Sequence, residues 1–327
     1  MDGILVVGTG SMGWNHARVC SELGLLVGIC DRDEGVVKKV GENFGVPGFA
    51  DLQNAIDETD PEGVIISTPT STHHDVGTVA IMNGRNVLIE KPLAVDLEEG
   101  NRLVGLAREY GVTLAVGHIE RHNPVISKAR ESLSSGDWGE IITISSRRVS
   151  NFPGRISDVG VILDLGIHDV DNVIFLMGSK PKSVYASGGK HHDILFEDHA
   201  TIQITFENGN NALVEVNWIT PMKVRTLSLT CEKSFVVLDY MNQQVTVSSS
   251  RFVDPKQPRK FPVDIEIDSR ELGLNVVEPL RLEIEDFISS IRNGTKPLAS
   301  GEDGLLALEI CIAALESIKT GDVVYFE

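Results

Sequence analysis

The sequence is short of positive charge, clustered cysteines and long apolar runs, and each shortage excludes a class of protein. Its 29 Lys and Arg face 47 Asp and Glu, a net charge of −18, and no basic run is present to hold nucleic-acid phosphates or an anionic membrane surface. No window approaches the roughly 18 apolar residues of a transmembrane helix. The N-terminus also lacks the positive region of a signal peptide. We therefore expect no nucleic-acid partner and no membrane partner.

The cysteines and histidines do not form metal or disulfide patterns. The four cysteines lie far apart with no CxxC pair, which is typical of small buried residues in the reducing cytoplasm. The histidines include the adjacent pairs His73-His74 and His191-His192, which do not easily present two ligands to one ion. Because no HExxH or Cys/His cluster appears, we expect a cytoplasmic protein without a catalytic metal.

The 327 residues are enough for two domains. Up to about residue 120, short apolar runs alternate with helical stretches. The predicted strands are Ile4–Val7, Leu25–Cys30, Gly63–Ser67, Asn86–Ile89 and Thr113–Val116. Strand–helix alternation of this kind indicates a parallel sheet with helices on both faces. The fold class is thus α/β, with a doubly wound Rossmann domain predicted over residues 1–120.

After residue 120 the pattern changes to strands that alternate apolar with polar residues, as in Ala212–Trp218. That pattern favours an antiparallel sheet with one covered face, and Asn208-Gly209 is a hairpin signal. Residues 251–270 are charged and contain three prolines, as in a loop or an edge segment, and two helices follow. We predict an α+β domain over 121–327 with a large, open-faced, mainly antiparallel sheet.

A glycine loop follows the first strand and opens a helix. It consists of Gly8, Thr9, Gly10, Ser11, Met12 and Gly13. The glycines allow the tight turn, the approach of a pyrophosphate to the backbone, and close packing of helix and strand. Asp31 ends the next strand, where a carboxylate holds a ribose 2′-hydroxyl. Its charge favours NAD over NADP, although the neighbouring Arg32 is a residue type that can accept a 2′-phosphate.

Two further groups carry chemistry. Glu90-Lys91-Pro92 ends an apolar strand, either as a solvated strand end or as a lysine directed into a cleft. Asp164 and His168 share one face of a predicted helix at i and i+4, with Asp171 and Asn172 a turn later. A histidine beside carboxylates suits a general base that takes a proton from a sugar hydroxyl, and the alternative is an ion pair that only stabilises the helix.

Taken in order, the glycine loop, Glu90-Lys91-Pro92 and Asp164…His168 resemble the motifs of the glucose–fructose oxidoreductase and inositol dehydrogenase family over the whole chain. The resemblance implies that Lys91 lies near the nicotinamide, where its charge favours an alkoxide-like transition state. It implies that His168 is the acid/base and that Asp164 positions substrate or the histidine. Lys91, Asp164 and His168 are thus the predicted catalytic residues and are also expected to contact substrate; members differ over whether lysine or histidine transfers the proton.

The resemblance also identifies cofactor contacts and a substrate class. Thr68, Pro69, Thr70 and His73 match the family's loop that lines the cofactor, and Glu90 and Lys91 join that cofactor set. Residues 116–124, VGHIERHNP, look like the GHxERFNP stretch of members that oxidise UDP-N-acetylhexosamines at the 3-hydroxyl, with His122 in place of Phe. From this stretch Arg121 and Asn123 are predicted to contact substrate, or Arg121 to form an ion pair, and Arg147, Arg148 and Arg155 are further candidates for a diphosphate.

The expected function is therefore NAD-dependent oxidation of UDP-N-acetylglucosamine to its UDP-3-keto sugar, as in amino-sugar biosynthesis. One alternative is a dehydrogenase of a free sugar or a cyclitol such as inositol. Another is a non-catalytic NAD-binding sensor, against which the joint presence of Lys91, Asp164 and His168 argues. The open sheet face, which usually meets its copy in this family, implies a homodimer or homotetramer through the C-terminal sheet.

Overall fold

A computed structural model describes residues 3–153, 159–252 and 265–326. The chain forms two compact units. The first contains the residues up to His122 together with Glu278–Ile312, and the second contains Asn123–Val277 together with the residues from Ala313 onward.

The first unit is built on a parallel sheet with the strand order β3-β2-β1-β4-β5-β6. The strands are β1 (Ile4–Val7), β2 (Leu26–Cys30), β3 (Gly48–Phe49), β4 (Gly63–Ile66), β5 (Asn86–Glu90) and β6 (Leu114–Gly117). The helices are α1 (Ser11–Glu22), α2 (Glu34–Phe44), α3 (Leu52–Thr59), α4 (His73–Met82) and α5 (Leu97–Tyr110). The order of the strands reverses at the β1–β4 pair, and ligands of such sheets bind at the carboxyl ends of the strands there.

Aspartates begin three of these helices. Asp33, Asp51 and Asp96 accept backbone N–H bonds at the N-termini of α2, α3 and α5, which satisfies donors that the helix itself leaves unpaired. Helix α1 differs, because it begins after Gly10 and no side chain caps it. Its first N–H groups therefore remain available to a ligand.

The second unit contains a mixed sheet with the order β14-β13-β12-β11-β7-β10-β9-β8-β15. Its elements in chain order are α6 (Pro124–Ser134), β7 (Ile141–Asn151), a π-helical turn (Ile162–Gly166), α7 (Ile167–Met177), β8 (Pro181–Gly189), β9 (His199–Phe206), β10 (Asn211–Asn217), β11 (Ile219–Cys231), β12 (Phe235–Asp239), β13 (Gln244–Phe252) and β14 (Ile265–Leu272). Among the described strands of this second sheet, only β7 and β10 pair in parallel.

The chain ends with α8 (Pro279–Asn293), α9 (Gly301–Thr320) and β15 (Val324–Tyr325). Leu280, Ile284 and Phe287 of α8 pack into a core with residues of β1, β4 and β5. The apolar stripe of α8 thus covers one face of the parallel sheet, and burial of that stripe stabilises the helix there. Helix α8 therefore belongs to the first unit, whereas the predicted second domain of 121–327 included it.

The predicted α/β class, parallel sheet and mainly antiparallel second sheet are confirmed. The hairpin at Asn208-Gly209 joins β9 to β10, and Gly209 adopts a left-handed φ of 86°. The prediction missed strand β3 because two residues are too few to show a periodic pattern of apolar side chains. Part of the predicted segment 251–270 is the edge strand β14, whereas residues 253–264 lie outside the described residues.

Candidate active site

The glycine loop between β1 and α1 is closed by contacts that only glycine permits. A Cβ on Gly13 would lie 1.8 Å from the carbonyl oxygen of Gly8, and a Cβ on Gly8 would lie 2.8 Å from the backbone of Ser67 and Thr68. Gly8 also has a φ of 85°, which is costly for a residue with a side chain. The loop after β1 therefore touches the loop after β4 at the strand-order reversal.

The residues of this loop fit the diphosphate of a dinucleotide. A Cβ built on Gly10 meets nothing within 4 Å, so the loop is open on that side. The uncapped N–H groups lie at the N-terminus of α1, where the glycine loop joins the helix. The helix dipole favours an anion at that end. Residues Ser11 and Met12 would contribute backbone N–H groups rather than side chains.

Asp31 directly follows β2 and lies beside this loop. One carboxylate oxygen accepts bonds from the N–H and the hydroxyl of Thr9, both at 2.7 Å, and the other accepts the N–H of Asp33. Burial acts to raise the pKa of Asp31, but these hydrogen bonds outweigh it and hold the pKa below the ordinary value. A carboxylate has about four acceptor sites, so the ionised Asp31 retains room for a ribose hydroxyl. Arg32 is exposed next to it.

The loop after β4 is tied to the loop after β5 by a buried histidine. The ring nitrogens of His73 lie 2.9 Å from the carbonyl oxygens of Pro92 and Thr68. Burial holds the pKa of His73 below its ordinary value, although both carbonyls favour the protonated ring. His73 thus fixes the relative positions of two loops that the sequence assigned to the cofactor, rather than projecting its own ring outward. Within the same loop Pro69 is exposed and Thr70 is buried.

Lys91 lies at the carboxyl end of β5, the same edge of the sheet as the glycine loop. Its side chain is partly exposed, its peptide bond to Pro92 is cis, and its N–H donates to the carboxylate of Glu90 at 3.2 Å. Glu90 itself is buried, and its Oε1 lies 2.8 Å from Nε2 of His16 on α1. The structure therefore gives Glu90 a partner on the helix that the glycine loop opens, a link that the sequence pattern did not reveal.

In the second unit, Asp164 lies in the π-helical turn and His168 in the first turn of α7, both half-buried. The sequence predicted one continuous α-helix here. The difference arises from a residue further along the chain, because Glu197 accepts the N–H of Ile162 with its carboxylate and the N–H of Val161 with its carbonyl oxygen. A Cβ on Gly160 would lie 2.1 Å from that carboxylate, so the close approach requires glycine.

Helix α7 is anchored to the sheet of its own unit next to His168. Asp169 accepts the Arg148 guanidinium and the Ser146 hydroxyl of β7, and Asn172 donates to the Tyr240 hydroxyl at 3.2 Å. Arg148 is therefore a buried structural partner and not a diphosphate ligand. Arg147 points to the other face of the sheet and pairs with Glu215, and Arg155 lies outside the described residues.

Arg121 and Asn123 also have structural partners. Arg121 is 3% exposed, donates to the Leu298 carbonyl at 2.7 Å and pairs with Asp303 at 3.4 Å. Asn123 is buried, caps α6 through the N–H of Val125 and donates to the carbonyl of Tyr240. The structure therefore contains an ion pair of Arg121, which was the alternative prediction for this residue. The substrate contacts expected of both residues stay predictions.

Two features concern the described residues as a whole. Within residues 3–153, 159–252 and 265–326, no group of three or more His, Cys, Asp or Glu side chains is arranged to hold a metal ion. In the same part of the chain, no helix has the length and hydropathy that crossing a bilayer requires. The four cysteines are buried and form no disulfide within the described residues.

Comparisons with known proteins agree with this arrangement. A family model described as an oxidoreductase family with an NAD-binding Rossmann fold matches residues 3–118, and the GFO/IDH/MocA C-terminal domain model matches residues 126–237. The UDP-N-acetylglucosamine 3-dehydrogenase of Acidithiobacillus ferrooxidans is 29% identical over 95% of this chain and 94% of that protein. Its solved structure superposes with a TM-score of 0.85 at 28% identity, covering 97% of each chain. The scyllo-inositol 2-dehydrogenase (NAD(+)) of Bacillus subtilis is 28% identical over 97% of this chain and 94% of that protein.

The chain belongs to the GFO/IDH/MocA family of oxidoreductases. It is an NAD-dependent dehydrogenase, and the predicted cofactor is confirmed. The two named relatives act on different compounds, a nucleotide sugar and a cyclitol, at nearly equal identity.

Proposed function

We propose that this enzyme oxidises the 3-hydroxyl of UDP-N-acetylglucosamine to a ketone, with NAD as hydride acceptor. The observation that carries the proposal is Lys91 at the carboxyl edge of the parallel sheet, next to the loops that the family uses for NAD. The likeness to the UDP-N-acetylglucosamine 3-dehydrogenase over 95% of the chain supports the choice of substrate.

In the proposed complex, different loops of the first unit bind different parts of NAD. The N–H groups at the start of α1 bind the pyrophosphate, and Asp31 accepts a hydroxyl of the adenosine ribose. The backbone and hydroxyls of residues 68–70 line the nicotinamide side, where His73 holds their loop against Pro92. When bound, NAD accepts the hydride that leaves the sugar carbon.

Lys91 and His168 are the proposed proton-handling residues. As the hydride leaves, the hydroxyl on the same carbon loses a proton, so negative charge develops on oxygen. The ammonium of Lys91 stabilises that charge, and the imidazole of His168 accepts the proton. Asp164, in the π-helical turn before His168, positions the substrate or the ring. Lys91 and His168 belong to different units, and their joint action is part of the proposal.

A cyclitol is the second candidate substrate. The likeness to the scyllo-inositol 2-dehydrogenase is as extensive as that to the nucleotide-sugar enzyme. Arg121, Asn123 and Arg148, which were expected to hold a diphosphate or sugar, are all buried. An enzyme for a free cyclitol has no diphosphate to hold, so these positions favour this candidate more than the sequence did.

The test is a comparison of substrates with one product assay. UDP-N-acetylglucosamine, UDP-N-acetylgalactosamine, scyllo-inositol and myo-inositol are each incubated with NAD, with a ketone-trapping reagent to draw the equilibrium toward product. Mass spectrometry then seeks the trapped adduct of a ketone that is two hydrogens lighter than the substrate. The proposal expects such a product from the UDP-N-acetylhexosamine, and product from inositol alone would favour the cyclitol reading.

Two variants separate catalysis from binding. Lys91→Ala and His168→Ala should lose product formation while still binding NAD in calorimetry, because neither residue is proposed to hold the diphosphate. Arg147→Met, on the far face of the sheet, is the matched control and should turn over as wild type does. An enzyme that binds NAD but turns over none of these compounds would favour the sensor reading.

The same proposal includes self-association through the second sheet. Tyr185 and Leu213 lie on the face away from α6 and α7, each 42% exposed, and the β8–β9–β10 register aligns both with Gln203. Burying this face against a second copy would remove apolar surface from water. We expect this enzyme in the cytoplasm, so the assay uses a buffer that resembles it. Light scattering at micromolar concentration should then give the mass of a dimer or tetramer, and Leu213→Glu should lower that mass.

A further inference from the structure

His16 on α1 is a buried polar residue to which the proposed reaction assigns no role. Its side chain is fully buried, and its Nε2 lies 2.8 Å from Oε1 of Glu90. The other ring nitrogen, Nδ1, has no hydrogen-bond partner among the residues that the structure describes. A buried imidazole loses its hydration, and within that part of the chain the Glu90 carboxylate is what the ring bonds in return.

The position of His16 follows from the glycine loop. Gly13 lies three residues earlier on α1, so both residues share one face of the helix. A Cβ on Gly13 would clash with the backbone of the loop, so the helix approaches the sheet this closely only because Gly13 has no side chain. Ala17 of α1 packs in one cluster with Leu88 of β5. Glu90 follows Leu88 by two residues and therefore faces the side of the sheet that α1 covers.

Glu90 connects this helix to Lys91. Its Oε2 accepts the N–H of Lys91 at 3.2 Å, while its Oε1 faces the His16 ring. Glu90 is aligned with Gly117 in the β5–β6 register, and a Cβ on Gly117 would lie 3.0 Å from the carboxylate. The glycine thus leaves room for the carboxylate, and each of the two carboxylate oxygens has its own hydrogen-bond partner.

A second buried histidine holds the chain on the other side of Lys91. The ring nitrogens of His73, the first residue of α4, lie 2.9 Å from the carbonyl oxygens of Pro92 and Thr68. The residue before Lys91 and the residue after it are therefore each bonded to a buried imidazole. One imidazole comes from α1 and the other from α4, so two helices fix the backbone that carries the lysine.

The contacts of Glu90 suit an ionised carboxylate. Such a carboxylate only accepts hydrogen bonds, so Nε2 of His16 carries the proton between them. Burial acts to raise the pKa of Glu90, but the hydrogen bond and charge of His16 and the charge of the following lysine hold that pKa below its ordinary value. The other titratable groups on surrounding elements are His73 on α4, Glu283 on α8 and His118 after β6. The ionised state of Glu90 therefore depends on its bond to the His16 ring.

We propose that His16 is a positioning residue for Lys91: its Nε2–H fixes the ionised carboxylate of Glu90, which in turn holds the backbone N–H of the lysine and keeps a negative charge next to it. The inference rests on the role proposed for Lys91. An apolar residue at position 16 would leave the buried Glu90 without its N–H donor from α1, and the carboxyl would then become neutral.

The first test measures the reactivity of Lys91 in the protein without substrate or NAD. Trace acetylation at several pH values modifies only the unprotonated amine, and mass spectrometry of the Lys91 peptide gives the rate. In His16→Leu the negative charge on Glu90 is lost, so Lys91 should hold its proton less tightly and label about tenfold faster at neutral pH, the effect of one pKa unit. His16→Gln can still donate an N–H and should label as wild type does.

Three further variants separate this effect from a loss of packing. Val19→Ala opens a cavity on the buried face of the same helix and should leave the labelling rate at the wild-type value. Glu90→Gln removes the negative charge directly and should label as fast as His16→Leu. The double variant should label no faster than either single variant, because His16 acts through Glu90.

The second test compares the melting temperatures of His16→Leu and His16→Gln across pH. Neither variant contains the imidazole, so its own titration does not enter the difference. With a donor, the folded pKa of Glu90 stays below the unfolded value of about 4.3, and the carboxylate stabilises the fold above that pH. Without a donor, the folded pKa lies above the unfolded value, and stability falls as pH rises. His16→Gln should therefore melt higher by a margin that grows from about pH 4 to about pH 7.

Each of three results would overturn the proposal. They are an unchanged labelling rate of Lys91 in His16→Leu, an unchanged rate in Glu90→Gln, and a difference in melting temperature between the two His16 variants that stays constant with pH. Glu90→Gln keeps the proposal falsifiable even if His16→Leu does not fold. None of these measurements needs turnover, so failure of the proposed substrate would leave every outcome readable.

Discussion

The buried ion pair between Arg148 and Asp169 offers the sharpest prediction about the second unit. Each residue is 1% exposed. Asp169 also accepts the Ser146 hydroxyl at 2.6 Å, and the Arg148 guanidinium lies 5.4 Å from the centre of the Tyr240 ring. The pair joins α7 to β7 immediately beside His168, so its loss should affect both folding and the position of that histidine.

Asp169→Asn removes the charge of the carboxylate with which the buried Arg148 guanidinium pairs. Removing one partner of a buried pair costs about 3–5 kcal/mol. For a unit of this size each kcal/mol corresponds to about 2–4 °C in melting temperature. The variant should therefore melt about 6–20 °C below wild type. Replacing both residues, as in Arg148→Met with Asp169→Leu, should cost much less than the sum of the single changes, because no charge remains buried.

The assay is a double-mutant cycle by thermal and urea unfolding, with Arg147→Met as the control. Arg147 precedes Arg148 in the same strand, but its side chain is half exposed and pairs with Glu215 at 3.0 Å. A surface pair of this kind contributes at most about 1 kcal/mol, so the control should melt within a few degrees of wild type. A cost below about 1 kcal/mol for Asp169→Asn would refute the burial argument.

Three further predictions concern the first unit. Gly13→Ala should abolish NAD binding in calorimetry, because its Cβ would lie 1.8 Å from the carbonyl oxygen of Gly8, and retention of binding would contradict the loop geometry. Asp31→Ala should weaken NAD about 10- to 100-fold, since a hydrogen bond to a charged group contributes about 1.5–3 kcal/mol, and should narrow the preference over NADP, which the Kd values for the two cofactors measure. His122→Phe should remove a loss of stability on acidification: burial lowers the pKa of His122 to about 4, so wild-type stability falls as pH drops from about 6.5 toward that value. Equal acid sensitivity of both proteins in urea unfolding would show that His122 is not buried in the neutral form.

Local patterns predicted the first unit well because each depends on neighbouring residues. The glycine loop, the aspartate at the end of β2 and the strand–helix alternation all follow from spacing along a short stretch of chain. Pro124 at the first position of α6 follows from the same kind of local rule. These features needed no knowledge of distant contacts.

The structural roles of Arg121 and Asn123 could not be predicted from the sequence, because their partners are distant along the chain. Arg121 donates to a carbonyl 177 residues later, and Asn123 donates to one 117 residues later. An arginine next to a helix start looks the same in sequence whether it meets a substrate phosphate or a buried aspartate. Tertiary packing decides between the two, and here it placed both side chains inside.

Two other differences have the same origin. The π-helical turn around Asp164 depends on Glu197, which lies beyond α7 and β8 in the chain. Helix α8 has an ordinary apolar stripe, and nothing in that stripe tells which sheet it covers. The partner of Glu90 had a weak signal, since His16 lies one helical turn after Gly13, but a histidine in a helix has many other uses.

The central claim is that this enzyme of the GFO/IDH/MocA family oxidises a nucleotide sugar at a secondary hydroxyl. The most direct test is incubation with UDP-N-acetylglucosamine and NAD, with the product trapped and weighed by mass spectrometry beside the Lys91→Ala protein. The account predicts the trapped adduct of a UDP-sugar two hydrogens lighter than the substrate with wild type, and no such adduct with the variant. Oxidation of scyllo-inositol with no change in UDP-N-acetylglucosamine would contradict it and assign the enzyme to cyclitols.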